Sequence, residues 1–175
     1  MSQDVPSKTV GVPRESFPGE RRVALVPGNV AALKKAGFNV IVERAAGSRA
    51  GYRDSEYTDA GASLVDSRSE VFAGADVVVQ VRMAGANRHS GADDVQLLRK
   101  GHSLIGMCDP LAQADVMQEY AGHGVSCFAL ELLPRITRAQ SMDVLSSQAS
   151  IAGYKAVLTA AGLLPRMCPM MMTAA

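Results

Sequence analysis

Short apolar runs and longer mixed runs alternate along the chain up to about residue 130. The apolar runs are rich in β-branched residues and are apolar on both faces, which is typical of strands in a parallel sheet covered by helices. The mixed runs repeat apolar residues at steps of three and four, the period of one helix face. The pattern predicts five strands, at residues 9–13, 38–45, 75–82, 102–108 and 125–130.

Glycines mark the ends of the helices that this pattern predicts between the strands. The helix over 30–38 is expected to close at Gly37, and the helix over 93–101 is expected to end at Gly101. Shorter or similar helices are predicted at residues 54–62, 69–75 and 113–124. The alternation predicts an α/β domain with a mainly parallel sheet of about five strands and helices on both faces, in a Rossmann-like or flavodoxin-like arrangement.

A last, longer helix is predicted after Pro134. From Ala139 onward, two neighbouring apolar stripes recur at helical spacing, so we expect this helix to be covered over much of its circumference. Its beginning is polar and follows a loop that carries two arginines. Polar groups of fixed direction on a rigid element indicate a recognition edge, here formed by Arg135, Arg138, Gln140, Ser141, Asp143, Ser146 and Ser147.

Composition and charge exclude several classes of protein. The formal net charge is +1, and no run of alternating basic and aromatic residues is present, which argues against nucleic-acid binding. The first residues, MSQDVPSK, are polar, and no stretch approaches the ~20 apolar residues that a membrane span needs. We therefore expect a cytoplasmic protein without a membrane span of its own.

The three cysteines, Cys108, Cys127 and Cys168, are widely separated in the sequence. They form no Cys-x-x-Cys motif and do not pair with the histidines at ligand spacing, so no metal site is predicted. Cys108 and Cys127 are interpreted as small apolar residues of the core.

The stretch from Pro134 to Val157 resembles the Arg-Gln-Asp loop of the NAD-binding component, domain I, of proton-translocating NAD(P)+ transhydrogenase. This resemblance implies that Arg135, Gln140, Asp143 and Ser146 surround the nicotinamide end of NAD(H), with Gln140 and Asp143 as the catalytic pair. Direct hydride transfer between two nicotinamides needs no protein acid or base, only rings held together with water excluded. For Asp143 and Ser146, capping of the helix start is the alternative role.

A second stretch, ESFPGERRVALVP at residues 15–27, resembles the opening shared by transhydrogenase and alanine dehydrogenase. In alanine dehydrogenases the matching arginine, here Arg22, binds the substrate carboxylate; a solvated loop arginine is the alternative. Those enzymes also carry a lysine where this chain has Gln80 and Arg82, and a histidine where this chain has GMCDP. His102, at the start of that strand, is expected at the surface. Alanine dehydrogenase-like oxidoreduction is therefore the weaker alternative.

The resemblance to transhydrogenase implies a Si-specific, proton-translocating enzyme that regenerates NADPH from NADH. It implies NAD(H) as the cofactor near this chain and NADP(H) on a partner subunit or domain. The implied partners are the NADP-binding and membrane parts of the enzyme, and a second copy in a homodimer of the complete NAD component. The implied location is peripheral, at the inner face of the cell membrane.

The expected domain organisation is a polar leader at 1–8, an α/β domain at 9–164 resembling the N-terminal domain of the alanine dehydrogenase/transhydrogenase family, and a linker at 165–175 toward a missing NAD-binding Rossmann domain. No Gly-x-Gly-x-x-Gly motif, which would hold the cofactor pyrophosphate, occurs in the chain. The isolated chain is therefore expected to be inactive. A non-catalytic binding or assembly module of the same fold is a further alternative.

Overall fold

The computed structural model describes residues 7–166, and its sheet contains six strands, all paired in parallel. The strand order is β3-β2-β1-β4-β5-β6. The sequence predicted about five strands and missed β3, a three-residue edge strand too short to show a period-two pattern. The strands are β1 (Thr9–Val12), β2 (Asn39–Glu43), β3 (Ser63–Val65), β4 (Val77–Arg82), β5 (Ser103–Met107) and β6 (Ser126–Ala129).

Five helices connect the strands: α1 (Pro27–Lys35), α2 (Asp54–Asp59), α3 (Arg68–Gly74), α4 (Gly91–Val95) and α5 (Ala114–His123). Gly37 follows α1 with a left-handed φ of 89°, as its predicted C-terminal role requires. The prediction that the fourth helix extends to Gly101 was wrong. Beyond Val95, the amides of Leu97 and Leu98 bond to carbonyls three residues back, so the chain leaves α-helical geometry.

The core has two regions, one on each face of the sheet. On one face, Val40 and Val42 pack with Val30 of α1 and Tyr57 of α2. On the other face, the core cluster contains residues of α3, α4 and α5 together with Val78 and Leu104. Because side chains alternate along a strand, a parallel sheet covered on both faces needs strands that are apolar throughout. The predicted α/β architecture with helices on both faces is confirmed.

The described residues form two compact units, divided between Leu132 and Leu133. In the second unit a short 3₁₀ helix, Thr137–Met142, precedes α6 (Val144–Leu163). The long helix was predicted to begin at Ala139; it begins later because Asp143 has extended backbone angles and caps it. The expectation that α6 is covered was also wrong for this chain, since none of its residues is buried. Within residues 7–166, no helix combines the length and apolarity needed to cross a membrane.

Candidate functional site

The Arg-Gln-Asp loop lies in the second unit and passes from loop to 3₁₀ helix to the first turn of α6. Arg135 precedes the 3₁₀ helix, Gln140 lies within it, Asp143 is the N-cap of α6 and Ser146 lies in the first helical turn. The side chains of Arg135, Gln140 and Ser146 belong to exposed residues, whereas Asp143 is half-buried. Four polar residues are thus spread over a segment whose backbone changes conformation at Asp143.

Asp143 and Ser146 are held together by two hydrogen bonds. The Ser146 amide donates to Asp143 Oδ1 at 3.0 Å, and the Ser146 hydroxyl donates to Asp143 Oδ2 at 2.6 Å. The Ser146 hydroxyl, then its amide and, more weakly, the charge of Arg135 lower the pKa of Asp143. The carboxylate is therefore ionised at neutral pH, and its capping role accounts for both residues without any ligand.

Arg135 and Gln140 have no such local explanation. In the part of the chain that the structure describes, neither side chain makes a hydrogen bond, and both are exposed to solvent. A guanidinium offers five N–H donors, and a primary amide offers two donors and one acceptor oxygen. Together with the Asp143 carboxylate and the Ser146 hydroxyl, this set suits a ligand with an amide group and hydroxyls. No group of three metal-binding side chains occurs among residues 7–166.

A separate cleft of about 570 Å³ lies in the first unit, at the carboxyl ends of the strands. It adjoins the boundary between β1 and β4, where the strand order reverses, the usual place for ligands in open α/β sheets. Its lining includes Phe17, Arg82, His89, Gln113 and Glu131. The Arg82 guanidinium lies over the Phe17 ring, 4.3 Å from the centroid, and His89 meets the same ring edge-on at 5.5 Å.

Glu20 organises the arginines beside this cleft. Its carboxylate accepts bonds from Arg22 Nε at 2.8 Å, from Arg22 Nη2 at 2.7 Å and from Arg82 Nε at 3.0 Å. The hydrogen bonds from the Arg22 side chain are the main cause that lowers the pKa of Glu20 to about 2. Arg22 is therefore held by a buried carboxylate, and the interpretation of Arg22 as a freely solvated loop arginine was wrong.

Two further buried groups fix the carboxyl end of β4. Glu15 accepts the amides of Val81 at 2.6 Å and Arg82 at 3.2 Å, and burial raises the pKa of this carboxyl. Gln80, at one position where alanine dehydrogenases differ, donates to Asp94 at 2.8 Å and is buried. The Gln80 side chain therefore has a structural role, while Arg82, two residues further on, reaches the cleft.

His102 is fully buried, which corrects its predicted surface position. The Arg99 amide donates to its Nδ1 at 3.2 Å, and its ring meets Phe72 edge-on with centroids 6.4 Å apart. Its Nε2 is buried and has no hydrogen-bond partner among the described residues. Burial, followed by the charge of Arg99, lowers the pKa of this histidine. It lies in the core and is not an acid or base of the cleft.

The free energy of unfolding is expected to fall by up to about 1.4 kcal/mol when the pH drops from about 7.5 to about 5.5. The unfolded chain takes up a proton at His102 near the ordinary histidine pKa of about 6.5, whereas the folded chain resists protonation. Stability is therefore lost as the pH falls below that value. Urea denaturation at both pH values measures the loss, which His102→Asn should reduce because asparagine can still accept the Arg99 amide but does not titrate. The same substitution at the exposed His89 should leave the loss unchanged; equal behaviour of the two variants would exclude His102 as its source.

The chain was then compared with known proteins. Residues 11–152 match the family model described as alanine dehydrogenase/PNT, N-terminal domain. An alpha subunit of the NAD(P) transhydrogenase of Rhodospirillum rubrum is 41% identical over 166 residues, which cover 95% of this chain and 43% of that protein. The crystal structure of transhydrogenase from Sinorhizobium meliloti matches with a TM-score of 0.85 and 43% identity, over 95% of this chain and 48% of that one.

Alanine dehydrogenases are more distant relatives. The enzyme of Bacillus subtilis is 28% identical over 157 residues, covering 90% of this chain and 39% of that protein. The chain thus spans less than half the length of each of these relatives. The family match covers most of the sheet, the cleft and the Arg-Gln-Asp loop, and it confirms the resemblance inferred from the sequence motifs. The chain therefore belongs to the alanine dehydrogenase/PNT N-terminal domain family.

Proposed function

We propose that this chain belongs to a Si-specific, proton-translocating NAD(P)+ transhydrogenase that transfers hydride from NADH to NADP+ and so regenerates NADPH. The observation that carries the proposal is the exposed set of polar side chains between Arg135 and Ser146, in a chain similar to transhydrogenase alpha subunits. A hydride-transfer site of this type needs directed hydrogen bonds and not a titrating acid or base.

The proposed roles follow from the chemistry of each side chain. Arg135 donates to the carboxamide oxygen of the nicotinamide, and Gln140 fixes the angle of the same group. Asp143, ionised and oriented by Ser146, accepts from a ribose hydroxyl, while Ser146 adds a neutral donor. When bound, NAD(H) supplies the hydride itself. The protein residues orient the nicotinamide and exclude water from it.

The remaining components of the enzyme are proposed from the relatives' names and lengths. NADP(H) binds to a partner subunit or domain, and proton translocation belongs to membrane components that the present chain does not contain. The complete NAD component is proposed to be a homodimer at the cytoplasmic, inner face of the membrane. Residues 165–175 lead toward the Rossmann domain that holds the NAD pyrophosphate, so the isolated chain is proposed to be inactive.

A chimaera tests this function. This chain replaces the matched region of the Rhodospirillum rubrum alpha subunit, and NADH-dependent reduction of NADP+ is measured with the other subunits of that enzyme. We expect turnover comparable with that of the unmodified protein, because the chain is 41% identical to the region it replaces. A folded chimaera that binds NADH but transfers no hydride would overturn the proposal and favour a non-catalytic binding module.

An alanine dehydrogenase-like activity is the second candidate, favoured by the cleft alone. There Arg82 and His89 flank Phe17, so a cation and a titratable ring face one space. Against this candidate, Glu20 already accepts hydrogen bonds from both Arg22 and Arg82. Oxidation of L-alanine by the same chimaera, followed as NADH formation, distinguishes the two functions; we expect none.

A further inference from the structure

Two cysteines lie close together in the core beside β5 and β6. Cys127 lies in β6 opposite Leu104 of β5, and Cys108 follows the end of β5. Leu104 and Cys108 are four residues apart, so their side chains point to the same face, and Gly106 between them has no side chain. The two cysteines belong to one apolar cluster, and a hydrogen bond joins their thiols.

The surroundings of the two sulfurs differ. Cys108 is fully buried, whereas Cys127 is half-buried on an edge strand between two exposed residues, Ser126 and Phe128. The hydrogen bond with Cys127, followed by burial, raises the pKa of Cys108. The hydrogen bond from the Cys108 thiol lowers the pKa of Cys127. The less buried sulfur therefore ionises first, and the buried thiol stabilises it by donating a hydrogen bond.

We infer that Cys127 and Cys108 form an oxidisable thiol pair, in which Cys127 reacts with a hydroperoxide and Cys108 then closes a disulfide. A reactive, partly exposed thiolate beside a second thiol is the arrangement found at redox-sensitive sites. The site is independent of the proposed transhydrogenase function, because every residue that carries it lies in the first unit and none belongs to the Arg-Gln-Asp loop.

The reaction has two steps. The Cys127 thiolate attacks one oxygen of the hydroperoxide, the O–O bond breaks, and hydroxide leaves from hydrogen peroxide, giving a sulfenic acid. The Cys108 sulfur, after losing its proton, attacks Cys127 Sγ; the S–S bond forms, the S–O bond breaks, and a second hydroxide leaves. The two thiol protons convert both hydroxides to water. The sulfurs together lose two electrons, and the peroxide gains them.

Disulfide formation would act on the wall of the cleft. The amides of Cys108 and Asp109 donate to Glu131 Oε1, the first at 2.7 Å, and Glu131 lines the cleft. Asp109 has a left-handed φ of 53°, and a Cβ at Gly85 would lie 1.8 Å from the Cys108 carbonyl oxygen, so the backbone at this corner has little room to shift. A covalent link between Cys108 and β6 therefore connects the oxidation state of the chain to the position of Glu131.

Peroxide treatment of the full chain carrying Cys168→Ser tests the site, because that substitution removes the third cysteine, which lies outside the described residues. After a brief excess of hydrogen peroxide, peptide mass mapping should find a Cys108–Cys127 disulfide that dithiothreitol reverses. With Cys108→Ser added, the sulfenic acid should persist at Cys127 and be trapped by dimedone. With Cys127→Ser added instead, dimedone labelling of Cys108 should be at least about tenfold weaker.

A measurement without core substitutions guards against variants that fail to fold. In the folded Cys168→Ser chain before oxidation, iodoacetamide should label Cys127 at least about tenfold faster than Cys108. Equal labelling rates, or preferential labelling of Cys108, would overturn the assignment of the reactive sulfur. Recovery of both thiols reduced, or of disulfides between chains only, would overturn the proposed pair.

Discussion

Replacing Asp94 by asparagine is expected to lower the free energy of unfolding by about 3–5 kcal/mol. The Asp94 side chain is 6% exposed and pairs with Arg68, whose side chain is 20% exposed. Arg68 Nε donates to Asp94 Oδ1, and Arg68 Nη2 donates to Oδ2 at 2.6 Å, so the pair is bidentate. Gln80 adds a third donor at 2.8 Å. Asparagine keeps the shape but leaves the Arg68 charge without its main counterion in a poorly solvated place.

The neighbouring Asp93 provides a matched control. It lies in the same turn of α4 and carries the same charge, but it is exposed. Asp93→Asn should change the free energy of unfolding by less than about 0.5 kcal/mol. Guanidinium chloride denaturation of both variants measures the difference. Similar small losses in the two would mean that Arg68 is solvated in the native protein and does not depend on Asp94.

This buried pair also shows what hydrophobic periodicity cannot predict. The pattern of residues 93–101 correctly predicted a helix near Asp94, because Val95 and Leu98 face the core. It could not show that Asp94 points inward, since its partner Arg68 precedes it by 26 residues. Partners so distant become neighbours only through the crossovers of the sheet. The same limit explains His102, whose type suggested a surface position and whose place in the sheet buries it.

The two candidate sites differed in how far the sequence could predict them. The Arg-Gln-Asp loop is contiguous, so its residues were visible as one motif, and only the start of α6 was misplaced. The cleft joins Phe17 after β1, Arg82 at the end of β4 and Glu131 after β6. Its formation depends on the order β3-β2-β1-β4-β5-β6, which composition and periodicity do not determine. Only the rule that ligands bind where strand order reverses identifies it, and that rule needs the order first.

The substitution Arg135→Ala in the chimaera is expected to weaken NADH binding by about tenfold to hundredfold. A hydrogen bond from a charged donor to an otherwise unpaired carboxamide contributes about 1.5–3 kcal/mol. At about 1.4 kcal/mol per factor of ten, that contribution gives the expected loss. Isothermal titration of NADH into the purified chimaera measures it. The substitution should leave the fold unchanged, because Arg135 is exposed and makes no hydrogen bond among the described residues.

Arg138 separates a directed hydrogen bond from general positive charge. It lies three residues after Arg135, has the same charge and is equally exposed. If Arg135 acts through a directed bond, Arg138→Ala should cost less than about 1 kcal/mol, and added salt should change the Arg135 effect little. If the loss comes from attraction between positive charge and the cofactor phosphates, both variants should weaken binding alike. In that case the effect should shrink as salt shortens the range of the interaction. Equal, salt-sensitive losses would therefore remove Arg135 from the proposed nicotinamide site.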